Sequence, residues 1–204
     1  MTRDRVVDAA LALTDELGLE ALTMPNLAKR LDCGVMTIYG YVENKEDLLN
    51  AISQRGLRDL RLAEPVPSDA AGILVHWGRA LRQVLIDHPS LPVIFLTQAV
   101  VGAGIFRGVE RLLARLVRAG MAPPVGVHAI YAVVTYSTGF VAWELPRTRR
   151  QPQSRYAAEW RRAFAILPPE EFQLTGRVLD ELAHVAGDEQ FELGLRALAN
   201  GLSA

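Results

Sequence analysis

The histidines and the single cysteine of this sequence are candidates for a metal ligand or a nucleophile. The four histidines show no His-Glu-x-x-His pair or other spacing typical of a zinc site: His76, His88, His128 and His184. The single cysteine, Cys33, has no histidine near it in sequence and is interpreted as a small apolar residue. The sequence therefore predicts no metal, no cofactor and no catalytic residues.

A glycine-rich stretch presents one enzymatic alternative. Gly102, Gly104 and Gly108 follow an apolar run and precede a helical pattern, as in the phosphate-binding turn of nicotinamide-binding folds. That fold also needs an Asp or Glu about 20 residues further on to hold the ribose. No acidic residue occurs between Arg111 and Trp143, so we expect the glycines to mark a break between two helices.

A second group of polar side chains lies in the stretch TIYGYVENKEDLL, residues 37–49. The alternating pair Tyr39 and Tyr41 is expected to end a helix that is partly packed and partly exposed. Asn44 followed by Asp47 predicts the start of another helix, because both side chains can accept hydrogen bonds from free backbone N–H groups there.

The elements that position these residues are predicted to be helices. Apolar residues recur at helical spacing along nearly the whole chain, as at Val6, Ala10 and Leu13, and strand alternation is nearly absent. Thr2 is a candidate cap for the first helix and Gly18 a candidate stop. Half of the residues are hydrophobic, which is enough for a sizeable core. We predict an all-α fold of about nine or ten helices.

Residues 125–143 contain no charged side chain and are about as long as a membrane-spanning helix. Five polar side chains interrupt this stretch: His128, Thr135, Tyr136, Ser137 and Thr138. A helix that is apolar on most sides is also what the centre of an all-helical domain needs. The N-terminal residues have scattered acidic side chains, unlike a signal peptide. We expect a cytoplasmic protein without a membrane partner.

A short helix beginning at Thr23, a turn at residues 32–34 and a third helix over residues 35–42 have the layout of a helix-turn-helix. A three-helix cluster held by packing alone is the simpler alternative. The stretch LTMPNLAKRLDCGVMTIYGYVENKEDLL, residues 22–49, resembles the DNA-binding segment of the tetracycline-repressor (TetR) family. The matching positions are Leu22, Thr23, Leu27, Ala28, Leu31, Thr37, Tyr39, Tyr41, Val42, Lys45, Leu48 and Leu49.

The resemblance implies that double-stranded DNA is a partner and that a symmetric dimer reads an inverted-repeat operator. Because the positions that face base edges are apolar or glycine, hydrogen-bond readout would be sparse. Thymine methyl contacts and DNA shape would then carry more of the specificity. Phosphate contacts are expected from Thr23 and Lys45, backbone or groove-wall contacts from Thr37, Tyr39 and Tyr41, and base-edge contacts from Val35, Met36 and Gly40.

The segment departs from the family pattern at several positions. Asp32 replaces the turn glycine, which is tolerable because Asp adopts left-handed conformations more readily than most residues. Gly34 replaces the usual Ser cap, and Pro25 stands where relatives often place a DNA-contacting side chain. Residues 1–47 hold five basic and nine acidic side chains, which argues against an extended electrostatic footprint on DNA. Helix N-termini and a few local cations would then grip the phosphates.

The chain from Leu48 onward resembles the regulatory domain of the same family more weakly, through the helix order, GFVAWEL (139–145) and FELGLRALANGL (191–202). We therefore predict a helix-turn-helix domain at 1–47 and an effector-binding and dimerisation domain at 48–204. Small residues beside an apolar stripe allow two helices to approach closely, either within one chain or between two chains. The predicted dimer interface is Val133, Phe140, Phe191, Gly194, Leu195, Ala197, Leu198 and Gly201.

In that family the regulatory domain also encloses an effector, and residues 76–144 supply apolar walls and a few polar anchors for one. Packing in the core is the simpler role for any single residue among them. The sequence thus predicts a repressor released by a small apolar or aromatic effector; the alternative is a helical protein that sequesters a ligand and has little DNA affinity. The candidate pocket is Trp77, His88, Phe95, Gln98, Phe106, His128, Tyr131, Thr135, Phe140, Trp143 and Glu144.

Overall fold

Twelve α-helices and no strand make up the part of the chain that this computed structural model describes, namely residues 1–58, 60, 62–148, 153–184 and 187–203. The predicted all-α class is confirmed. The first helices are α1 (Arg3–Leu17), α2 (Met24–Arg30), α3 (Val35–Tyr39) and α4 (Lys45–Leu57), with a 3-10 turn over Leu19–Ala21. The others are α5 (Ala70–Asp87), α6 (Leu91–Thr97), α7 (Ala103–Arg118), α8 (Pro123–Thr148), α9 (Gln153–Phe164), α10 (Gln173–Arg177), α11 (Leu179–His184) and α12 (Asp188–Ser203).

Side-chain caps start the helices of the N-terminal domain where the sequence predicted them. The side chains of Thr2, Thr23 and Asn44 each accept a hydrogen bond from the backbone N–H three residues further on. The Asn44 bond is 2.8 Å long, and it begins the helix that carries Lys45. Each cap satisfies one of the donors that a helix start leaves free.

Left-handed residues end α1 and shape the turn between α2 and α3. Gly18 has a φ of 87°, and Asp32 has a φ of 52°. Asp32 therefore adopts the conformation expected of a residue that replaces the turn glycine. Gly34 caps α3 without a side-chain hydrogen bond, as its lack of a side chain requires.

The C-terminal half contains more helices than predicted, because the described segment 173–184 divides into the short helices α10 and α11. Helix α8 continues through Pro146 to Thr148, and α9 begins at Gln153; residues 149–152 lie outside the described residues.

Two hydrophobic clusters form the core. The first cluster joins α1–α4 to α5, α6 and Val141 of α8, and the second joins α5, α7, α8 and α12. Trp77 and Val134 pack against both clusters. The predicted domain boundary at residue 48 is therefore not a boundary of the core, because α5 and α6 complete the core of the N-terminal domain.

Helix α8 lies at the centre of the C-terminal domain. Within the described residues, Pro123–Arg147 is long and apolar enough to cross a membrane by length and composition. In this structure it contacts α5, α6, α7 and α12. This packing buries one side of the apolar stretch, as expected of the central helix of an all-helical domain.

Close packing of α5 against α8 and α12 depends on Gly78. A Cβ atom built on Gly78 would lie 2.7 Å from Leu195 Cδ1 and 3.0 Å from Val133 Cγ1. Both of these side chains are fully buried, so neither can move aside into solvent. The three helices can approach this closely only while residue 78 has no side chain.

We predict that Gly78→Ala lowers the free energy of unfolding by about 1–3 kcal/mol, the usual cost of an extra methyl group in a packed core. Gly108→Ala in α7 is the control, since a Cβ there meets no atom within 4 Å. The control should gain about 0.5–1 kcal/mol, as alanine favours a helix over glycine. Urea unfolding of both variants measures the difference; equal stability would contradict the close packing.

Candidate DNA-binding surface and effector region

Helix α3 is anchored on one side and exposed on the other. Ile38 is fully buried in the first cluster. Met36 is 80% exposed and Tyr39 45% exposed. Thr37 and Gly40 are exposed as well, and Val35 is half-buried. The structure thus brings the residues predicted for base and groove contacts onto and beside one short helix.

Arg3 joins the end of α3 to the start of α4. Its Nε donates to the Tyr41 carbonyl oxygen at 3.2 Å, and its Nη2 donates to Asp47 Oδ1 at 2.7 Å. The Tyr41 hydroxyl donates in turn to the Met1 carbonyl oxygen at 2.9 Å. Tyr41 is therefore a half-buried anchor in this structure, whereas Tyr39 and Lys45 are exposed. The sequence pattern did not indicate Arg3, because its partners lie about 40 residues away.

The acidic side chains of the N-terminal domain lie mostly outside the helix-turn-helix. Residues 23–41 contain Lys29, Arg30 and a single acidic residue, Asp32. Glu16 of α1 pairs with Arg30 at 2.6 Å, and the hydrogen bonds from Arg30 hold the pKa of Glu16 below its ordinary value. The unfavourable charge balance of residues 1–47 is thus concentrated on α1 and around the start of α4.

An arginine and an aromatic group fill the space between α5, α8 and α12. Arg82 Nη2 donates to Glu144 Oε1 at 2.6 Å, and its guanidinium carbon lies 4.8 Å from the centre of the Phe191 ring. The Phe140 and Phe191 rings pack edge to face at 5.3 Å. Glu144, predicted as a pocket anchor, is buried in this ion pair. Arg82 was not predicted, because its partner is 62 residues further along the chain.

Two buried hydroxyl groups lie on α8 between the hydrophobic clusters. Ser137 is 0% and Thr138 3% exposed, and neither hydroxyl has a hydrogen-bond partner among the described residues. Ser137 lies one helical turn after Val133 of the second cluster and one turn before Val141 of the first. Such groups cost free energy unless a partner arrives, so they are candidate contacts for a polar ligand atom. No pattern in the sequence indicated that these two hydroxyl groups are buried.

The other predicted pocket residues do not converge on one site within the chain. Tyr131 and Phe106 are 66% and 68% exposed, and His128 and Thr135 lie on the same outer face of α8 as Tyr131. This corrects the predicted pocket, because the helical period of α8 turns His128, Tyr131 and Thr135 away from the inner face that carries Ser137, and Phe106 is exposed on α7. Trp77, Phe95 and Gln98 are half-buried around α5 and α6, and Trp143 lies at the end of α8. A surface cleft of about 290 Å³ lies elsewhere, beside Arg79 and Arg196.

His88 was also predicted to line the pocket, but it contacts α1 instead. Its Nδ1 lies 2.8 Å from Asp15 Oδ2, where α1 meets the corner between α5 and α6. The structure therefore places His88 at the contact between the two predicted domains.

Part of the predicted dimer interface lies inside the protomer. Val133, Phe191 and Leu195 are at most 1% exposed and belong to the second cluster. A Cβ on Gly194 would collide with Tyr136, so this glycine serves packing within the chain. These four residues correct the prediction, because side chains buried in one protomer offer no surface to another. Phe140 and Leu198 are half-buried, whereas Ala197 and Gly201 are exposed.

An apolar face that the sequence pattern did not separate from the core runs along the outside of α8 and α12. It contains Tyr131, Trp143 and Leu193, the last 65% exposed. Gly139 and Gly201, on the same two helices, have open space where a Cβ would be. We call seven of the exposed residues of these helices the α8–α12 face: Tyr131, Thr135, Gly139, Trp143, Leu193, Ala197 and Gly201.

Helix α3 is short, follows α2 after a tight turn, and packs on α1, α2 and α4 while its outer side stays exposed. This is the arrangement of a helix-turn-helix DNA-binding protein with an attached helical domain. Residues 6–52 match the model of the bacterial regulatory proteins of the tetR family, and residues 65–204 match that of the tetracyclin repressor-like C-terminal domain. The chain belongs to the TetR family.

Its relatives include repressors and a ligand-bound structure. A helix-turn-helix-type repressor of Mycobacterium tuberculosis is 31% identical over 155 residues, which are 73% of this chain, and the chain spans 59% of that relative's length. The repressor DrrR1 of Streptomyces coeruleorubidus is 28% identical over 99% of this chain and 77% of its own. The TetR family protein ActR of Streptomyces coelicolor, in complex with actinorhodin, has a TM-score of 0.86 at 27% identity, covering 99% of this chain and 95% of ActR.

We predict that Ser137→Ala is more stable than the wild type when no ligand is present. Removing a buried hydroxyl without a partner relieves a penalty of about 1–3 kcal/mol. Ser53→Ala is the matched control, since Ser53 is equally buried in α4 but its hydroxyl donates to the Leu49 carbonyl oxygen at 3.0 Å. The helix-propensity gain is common to both, so urea unfolding should rank Ser137→Ala above Ser53→Ala. The reverse order would show that the Ser137 hydroxyl has a hydrogen-bond partner in the folded protein.

Proposed function

We propose that this chain is a transcriptional repressor that binds an inverted-repeat operator in the cytoplasm as a homodimer and is released by a small molecule. The observation that carries the proposal is the exposed side of α3. A helix of five residues with Met36 and Tyr39 directed outward has little stability of its own. The N-terminal domain holds it in position through Ile38 and the contacts of Arg3.

The proposed DNA contacts divide into phosphate and base contacts. Thr23 and Lys45 stand at the starts of α2 and α4, where free backbone N–H groups favour a phosphate. Lys45 is exposed and has no ion pair among the described residues, so its ammonium group is free to add a charge contact. Met36, with Val35 and Gly40 beside it, would face the base edges, with thymine methyl groups as its natural partners.

The α8–α12 face supports the proposed homodimer. Two copies of one apolar face can pair about a two-fold axis and set the two α3 helices one helical turn of DNA apart. Tyr131, Leu193 and Trp143 would supply the apolar contacts. Gly139 and Gly201 would let the helix backbones approach closely.

The buried hydroxyl pair supports a small-molecule effector that is largely apolar but carries a hydroxyl or carbonyl group. Ser137 and Thr138 would hydrogen-bond that group, and candidates to contact the apolar part are the half-buried side chains that pack against the first cluster, such as Trp77, Phe95 and Val134. The structure of ActR with actinorhodin supports a ligand in a chain of closely similar fold. Such a ligand releases DNA only if it binds better to a conformation whose two α3 helices no longer fit the operator.

The operator experiment is a gel shift with DNA that flanks the gene of this protein. We predict that Tyr39→Ala and Lys45→Ala weaken binding, and that Lys45→Ala lowers the slope of log affinity against log salt by about one because one phosphate contact is lost. Arg118→Ala is the control, as Arg118 is an exposed cation of α7 outside the N-terminal domain. Circular dichroism should be the same for all variants.

The sequestering alternative predicts a different result in the same experiments. A protein without specific DNA affinity would give no shift with any fragment at physiological salt, and Tyr39→Ala would change nothing. A thermal-shift screen of aromatic compounds would then still find ligands. Ligands that stabilise the fold without reducing operator affinity would also favour this alternative.

We predict that Leu193→Arg disrupts the homodimer, because a guanidinium would be buried in an apolar contact without a partner. Leu174→Arg is the matched control: Leu174 is 75% exposed on α10, a helix that contributes no residue to the α8–α12 face. Light scattering at micromolar concentration should give a dimer for the wild type and the control, and a monomer or aggregate for Leu193→Arg. A monomeric wild type would contradict the proposed dimer.

A further inference from the structure

The start of α4 has to satisfy two requirements that oppose each other. Its first turn carries the acidic residues Glu46 and Asp47, and Glu43 directly precedes its cap. Negative charge at this position stabilises a helix, because the start of a helix is the positive end of its dipole. The same position is the proposed phosphate contact of Lys45, and negative charge there repels a phosphate group.

Asp47 is an acidic residue of this turn that hydrogen bonds hold in place. Its Oδ2 accepts a hydrogen bond from the backbone N–H of Glu43 at 3.1 Å, and its own backbone N–H donates to Asn44 Oδ1 at 2.8 Å. These bonds satisfy free backbone donors at the helix start, as a capping box does. The exposed side chains of Glu43 and Glu46 make no ion pair among the described residues and can turn away from DNA. The Asp47 carboxylate cannot do so without giving up its bond to Glu43.

Arg3 of α1 supplies the opposite charge at this point. Its Nη2 donates to Asp47 Oδ1 at 2.7 Å, and its Nε donates to the Tyr41 carbonyl oxygen at 3.2 Å. The Arg3 side chain is 52% and the Asp47 side chain 30% exposed, so the pair lies at the surface. An exposed pair of this kind adds little to stability. It does cancel the charge of a carboxylate that is fixed two residues from Lys45.

A second ion pair joins the same two helices further from the start of α4. Arg55, near the end of α4, pairs with Asp8 of α1 at 2.6 Å, and these side chains are 31% and 50% exposed. Arg55 lies about 15 Å along the helix from Lys45, at 1.5 Å per residue. This distance exceeds the screening length of about 10 Å at 0.1 M salt. The second pair therefore makes a similar contact between the helices without affecting a phosphate at Lys45.

We propose that Arg3 is a positioning residue for DNA binding whose charge neutralises Asp47, so that the start of α4 can accept an operator phosphate; this rests on the proposed function. Asp47 serves the start of the helix, and Arg3 makes its carboxylate compatible with a DNA-binding surface. Without Arg3, the carboxylate would oppose the ammonium group of Lys45 and repel the phosphate. Arg3 acts through Asp47 and makes no contact of its own with DNA.

The experiment measures affinity for the duplex from the flanking DNA that the wild type binds best, at about 0.1 M salt. Arg3→Gln removes the charge but keeps a side-chain donor for the Tyr41 carbonyl oxygen. We expect it to weaken binding about tenfold, since an uncompensated charge several ångströms from a phosphate costs each half-site about threefold. Adding Asp47→Asn should restore affinity to within about twofold of the wild type, because the asparagine is neutral and keeps an acceptor for the Glu43 N–H.

Arg55→Gln is the matched control, since it removes the same charge from an ion pair between the same two helices. It should change affinity by less than about twofold. Arg3→Lys keeps the charge and should keep the affinity. Both ion pairs are exposed, so we expect every variant to fold, which circular dichroism checks. A merely structural role would lower the melting temperature of Arg3→Gln, and Asp47→Asn would not restore its affinity.

Three results would overturn the proposed role of Arg3. The first is an undiminished affinity of Arg3→Gln. The second is a loss that Asp47→Asn does not restore; a salt slope lower by about one would then show that Arg3 itself contacts a phosphate. The third is an equal loss in Arg55→Gln, which would show an effect of net charge alone. If the wild type binds no duplex, the proposed repressor function fails first, and the gel shift shows this before any variant is compared.

Discussion

The first hydrophobic cluster is the constraint on which the arrangement of this protein depends. It buries Ile38 of the exposed helix α3 together with Leu85 of α5 and Leu91 of α6. A five-residue helix cannot keep its shape in water without such support, because the cost of forming its first turn exceeds the gain from so few hydrogen bonds. The orientation of α3 is therefore set by the same side chains that line the C-terminal domain.

Sharing one core between two functional regions has a mechanical consequence. Close-packed interiors transmit displacement, since a side chain cannot move without its neighbours giving way. The start of α6 contacts α1 through Ser90 and α4 through Leu91, so the N-terminal domain has a noncovalent connection in addition to the chain that leaves α4. A bistable arrangement of packed helices is what a ligand-controlled switch needs.

Several positions disagree with the rules of a stable fold, and they coincide with the proposed functions. Ser137 and Thr138 bury hydroxyls without partners, Met36 exposes a large apolar side chain, and Leu193 does the same on the α8–α12 face. Local violations of this kind are expected where a ligand, DNA or a second chain completes the structure. Polar contacts such as Arg82 with Glu144 satisfy the rule instead, so they are interpreted as structural.

The sequence by itself determined the local features of this protein. Helical periodicity, the caps at Thr23 and Asn44 and the order of residues from 22 to 49 depend on neighbours within a few positions, so the all-α class and the family could be predicted. Which face of α8 is inside depends on contacts with α5 and α12, about 50 residues away on either side. An almost uniformly apolar helix carries no pattern that distinguishes its faces, and so Tyr131 was placed in a pocket and Val133 in an interface. The contacts of Arg3, Asp15 and Arg82 join residues more than 37 positions apart, and only tertiary packing decides which charges meet.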